Sequence, residues 1–167
     1  MRRKIVLAST IALLMLLAVS PVFATPNTKL EFIQDVAPGG TTADADMDPV
    51  PGTEGMNFGF VNFNQDEFGN LRVTVVLKNA EPNKEYTIYL VGGPTHDTVT
   101  GFFIIGTLTT NKVGNGAVSS IIVDVATLQG ATGFGSGART DHMDVLGEGY
   151  PATAGGYVVT GVNYVVP

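Results

Sequence analysis

Three aspartates alternate in the run Ala43-Asp44-Ala45-Asp46-Met47-Asp48-Pro49. Carboxylates at every second position of a curved loop converge on one ion, which is how calcium loops begin. A helix–loop–helix calcium site would also need a glycine two positions after the third acid and a closing glutamate. Pro49 and Val50 follow instead, so that pattern fails. Asp35 and Glu54 are the acids that would complete a different oxygen cage. The competing reading is a solvated acidic loop.

The two histidines, His96 and His142, each adjoin acids, in His96-Asp97 and in Asp141-His142-Met143-Asp144. An imidazole with carboxylates can ligate zinc or copper, with one aspartate orienting the ring. Two histidines are too few for a copper–zinc dismutase site, and the spacing matches no fixed ligand pattern. The candidate metal ligands are therefore Asp44, Asp46, Asp48, Asp141, His142 and Asp144, with calcium the leading cation. Nucleophilic chemistry finds no support. Ser136 in Gly133-Phe134-Gly135-Ser136-Gly137 lacks a flanking strand and helix. The same glycine-rich run lacks the Lys-Ser/Thr of a phosphate cradle and reads as a mobile surface loop. Tyr89 without any tryptophan is a thin platform for stacking sugars.

Strands must position these groups. The chain has 21 glycines, 9 prolines and only 14% charged residues, and no apolar stripe of helical period follows residue 24. Strands are expected around Leu30 to Val36, over 56–64, and over Leu71 to Lys78, with Leu71, Val73, Val75 and Leu77 facing inward. The 56–64 run places Met56, Phe58 and Phe60 on one face, with a change of phase near Val61 to Phe63. Further strands are expected from Tyr86 to Val91, Phe102 to Thr110, Ala117 to Val125, near Met143 to Leu146, and Tyr157 to Val166. Turns at 66–70 and 111–116 read as hairpins. Seven to eight strands with no intervening helix predict an all-β, antiparallel Greek-key β-sandwich. Function is expected on the long loops 38–55, 92–101 and 127–156.

The stretch Leu77-Lys78-Asn79-Ala80-Glu81-Pro82-Asn83-Lys84-Glu85-Tyr86-Thr87-Ile88 resembles the tyrosine corner of fibronectin type III domains. In that family the chain crosses between sheets here, and the tyrosine hydroxyl bonds to the upstream backbone. Leu77, Pro82, Tyr86 and Ile88 occupy the family's positions. Ala80 and Lys84 replace its leucine and threonine, and too few strands precede the corner for the family's own order. The resemblance implies an immunoglobulin- or fibronectin-like sandwich. The phrase Ile105-Gly106-Thr107-Leu108-Thr109-Thr110-Asn111 before Gly114-Asn115-Gly116 is similar to a hairpin in secreted prokaryotic β-sandwich proteins of unassigned function. It implies a prokaryotic secreted origin and no activity.

Residues 1–24 read as a signal peptide. Arg2, Arg3 and Lys4 precede an apolar run, Pro21 interrupts it, and Val22-Phe23-Ala24 suits cleavage. The run is shorter than the roughly 20 residues that span a bilayer, so no stable membrane insertion is expected after cleavage. Cleavage leaves a single domain over 25–167 and moves the net charge from −6 to −9. That charge disfavours nucleic acid and anionic lipid. With no cysteine, stability must come from packing. The expectation is a secreted or cell-surface, non-enzymatic β-sandwich with a structural, adhesive or protein-interaction role. Its partners would be other surface proteins or itself. A calcium-binding or metal-dependent extracellular protein is the alternative.

Overall fold

The computed structural model describes residues 28–36, 48–93, 98–147 and 155–167. These residues form nine strands and one short helix. The strands are β1 (Thr28–Glu31), β2 (Ile33–Val36), β3 (Gly59–Gln65), β4 (Leu71–Leu77), β5 (Glu85–Gly92), β6 (Gly101–Thr109), β7 (Gly116–Val123), β8 (Arg139–Gly147) and β9 (Gly156–Val165). The helix α1 (Val125–Gln129) lies between β7 and β8. A four-stranded sheet runs β1-β3-β4-β7 and a five-stranded sheet runs β2-β9-β8-β5-β6. Every ladder is antiparallel. Among the described residues, no helix is long and apolar enough to cross a membrane.

The core is built by period-two alternation. Leu71, Val73, Val75 and Leu77 of β4 are buried, as their spacing demands. They meet Tyr86, Ile88 and Leu90 of β5, Met143 and Val145 of β8, and Tyr157 and Val159 of β9 in one hydrophobic cluster. Burying each such side chain contributes about 1.5–3 kcal/mol.

Four sequence expectations need correction. The strand around Leu30 to Val36 is two strands, because the chain leaves one sheet for the other at Phe32. That ring is buried, and the Phe32 N–H donates to Gly59 O at 3.2 Å. This split raises the count above seven to eight. In the 56–64 run the change of phase falls at Gly59, not near Val61 to Phe63. Gly59 has φ 103°, so Phe58, Val61 and Phe63 all face the core. Met56 is exposed, and Phe60 faces outward beneath Lys29 Nζ, 4.7 Å from the ring centre.

The other two lie between β6 and β8. Residues 111–116 do turn the chain, but β6 and β7 join different sheets rather than one ladder. The glycine-rich segment after β7 runs over the surface, with Gly135, Ser136 and Gly137 exposed, but it is anchored at Phe134. Asp124 caps α1 by accepting from Thr127 N at 2.8 Å. Leu128 and Phe134 are fully buried, the latter with its ring centre 6.0 Å from that of Phe103.

Candidate functional site

Among the described residues, the outer face of the five-stranded sheet gathers most of the groups that could do chemistry. Residues in register share a face. One row runs Ile104 (β6), Tyr89 (β5), Asp144 (β8), Val158 (β9) and Ile33 (β2). The next runs Phe102, Val91, His142 and Thr160. Val91, His142 and Val158 are buried, so the middle of this face is covered. At the β6 edge the same rows open to solvent. Phe102 is 60% exposed and Ile104 59%. The Tyr89 and Phe102 rings meet edge to face, with centres 6.3 Å apart.

The run Asp141-His142-Met143-Asp144 therefore lies in a central strand and not in a long loop. A bulge makes its geometry. Asp141 is left out of the register on both sides of β8. In a regular strand residues 141 and 142 would face opposite sides. Here Asp141 Oδ2 lies 3.5 Å from His142 Nδ1, while Asp144 Oδ1 lies 3.8 Å from His142 Nε2. The two ring nitrogens turn to different carboxylates. Burial, and then the charge of Asp35 on β2, push the Asp144 carboxyl up to about 7.

The structure thus brings together Asp141, His142 and Asp144, with Asp35 close enough to act on Asp144. Asp44, Asp46 and His96 lie outside the described residues. Asp48 is exposed, in a segment tied to β2 through Val50 N donating to Gln34 O at 2.8 Å. Glu54 is exposed and accepts from Gly52 N at 2.9 Å. Among the described residues, no group of three or more histidine, aspartate or glutamate side chains is placed to hold one metal ion.

The Phe102–Ile104 edge was not among the candidates read from sequence. Its signal is present in Phe102-Phe103-Ile104-Ile105. Four consecutive large apolar residues in a strand must place two on the outer face. The Tyr86 ring is fully buried, and its hydroxyl accepts the Glu81 N–H at 3.2 Å. It lies where the chain passes from β4 in one sheet to β5 in the other.

The chain matches no family model, and neither the curated proteins nor the solved structures compared with it gave a match.

Proposed function

We propose that this protein is a non-enzymatic contact module that works outside the cytoplasm, in a surface structural, adhesive or protein-interaction role. The exposed apolar edge formed by Phe102 and Ile104 beside Tyr89 carries this reading. Clustered exposed apolar side chains on a soluble domain mark a surface that meets another protein. The secreted or cell-surface location rests on the pattern of residues 1–24.

The finer fold reading is an immunoglobulin- or fibronectin type III-like Greek key. Two features support it: the Glu81-to-Tyr86 hydrogen bond at the passage between sheets, and a five-stranded sheet in which β8 lies between β5 and β9.

The test is native electrophoresis of material recovered from outside the producing cells. The wild-type chain should run in an assembly larger than one mature chain. The double variant Phe102→Ser/Ile104→Ser should run as the free chain. A wild-type protein confined to the cytoplasm, or an assembly untouched by the substitutions, contradicts the proposal.

A further inference from the structure

We infer that the partner seated on this edge is a second copy of the same chain, joined by antiparallel pairing of β6 with its own equivalent. This inference rests on the contact role proposed above and names the occupant of that surface.

Among the described residues, strand β6 ends the five-stranded sheet and pairs with β5 alone. An open edge offers a row of backbone donors and acceptors to another strand, and proteins normally blunt such edges with charge, proline or bulges. The four edge strands among the described residues differ in that respect. β1 carries Lys29 and Glu31, and β2 carries Asp35. β7 has no charge, but it is kinked at Ser120, φ 59°, where its register with β4 shifts. β6 reads Gly-Phe-Phe-Ile-Ile-Gly-Thr-Leu-Thr, without charge or proline. Its single register shift, at Ile105, leaves Gly101 to Ile104 as a regular segment.

Charge selects the occupant. The chain carries a net charge of −6, so two copies repel over most of their surfaces. An uncharged strand is the seam where two acidic copies can meet at least cost. A basic partner would instead be drawn to acids on the contact strand, and β6 has none. The strand is also self-complementary, as a two-fold interface requires. Antiparallel pairing centred on Phe103 sets Phe102 opposite the partner's Ile104, and Ile104 opposite the partner's Phe102. The outer-face residues of β5 and β6 in both copies, Tyr89 included, then form one apolar stripe across the four central strands of a ten-stranded sheet.

Sedimentation of the purified protein across roughly a hundredfold range of concentration tests this by mass action. A reversible monomer–dimer equilibrium is expected. Ile104→Lys, which sets a like charge into each half of the seam, should raise the dimer dissociation constant about tenfold or more. Phe102→Lys, opposite the partner copy's Ile104 in the same pairing, is a second probe at an exposed position. Ile122→Lys, at an exposed position on β7, should leave the dimer intact. Circular dichroism checks that each variant keeps its sheet content. A dimer that survives both β6 substitutions, or that Ile122→Lys dissolves, places the seam elsewhere and overturns the inference. A wild-type chain that stays monomeric overturns it too. If that monomer still enters a Phe102- and Ile104-dependent assembly on native gels, another protein is the partner and the contact role stands. If no such assembly forms, both readings fall.

Discussion

Asp144 stands directly opposite Tyr89 in the ladder between β5 and β8, in a row of a sheet face that opens to solvent one strand beyond Tyr89, at Ile104. A carboxyl group is thereby held in a mostly apolar row, with Asp35 as its near charge. The Asp144 side chain is 18% exposed, so solvent screens it only in part.

This placement makes stability depend on pH. The Asp144 pKa rises from the ordinary 3.8 to about 7 on folding, so the folded state holds this proton more tightly than the unfolded chain. The Asp144 term therefore costs nothing below about pH 4. It grows as pH rises through the interval and is fully present above about 7. At about 1.4 kcal/mol per pKa unit, it is worth at most about 4 kcal/mol. Asp144→Asn should raise the urea midpoint at pH 8 and flatten its decline between pH 5 and 8. Parallel pH profiles for variant and wild type would show that Asp144 does not titrate this way.

Tyr86 tests the passage between the sheets. Its hydroxyl accepts from Glu81 N, and its ring packs 5.8 Å, centre to centre, from that of Tyr157. Tyr86→Phe keeps the ring and strands the Glu81 donor, so it should cost about 1–2 kcal/mol. An unchanged denaturation midpoint would mean that water replaces the hydroxyl at no cost.

Gly59 sets the phase of β3. At its positive φ, a Cβ would run into the Val76 carbonyl across the ladder. Gly59→Ala should destabilise by about 1–3 kcal/mol from the backbone conformation alone, with the clash added. Thermal unfolding reads this directly. A melting temperature equal to that of wild type would contradict the geometry.

Phe134 anchors the glycine-rich segment. The ring is fully buried beside Phe103. Phe134→Ala should cost about 3–5 kcal/mol. It should also raise proteolytic cleavage within 130–138 under native conditions. A surface role for this segment would leave both measurements at wild-type values.

How far the sequence could be read depends on how far local pattern and tertiary packing agree. In β4 they agree, because Leu71, Val73, Val75 and Leu77 alternate with only Val76 breaking the pattern, and all four are buried. In β8 they conflict. Asp141, His142 and Asp144 give that strand the composition of a loop. Only the register of β5 and β9 on either side shows it to be a central strand. The bulge at Asp141 has no sequence mark at all. Phe134 misleads for a related reason: one apolar residue among glycines carries no periodicity, and its burial depends on contacts distant in sequence. The β6 edge was legible in principle from its four consecutive apolar residues. That they face solvent follows from β6 being terminal in its sheet, which is a property of topology.

The central claim is that the β6 edge is where this protein meets its partner. A photoreactive amino acid at position 104 tests it in intact producing cells, against a control at position 29 on the charged β1 edge. The account predicts covalent adducts from position 104 and none from position 29. Equal adduct formation at both positions, or none at 104, would contradict it.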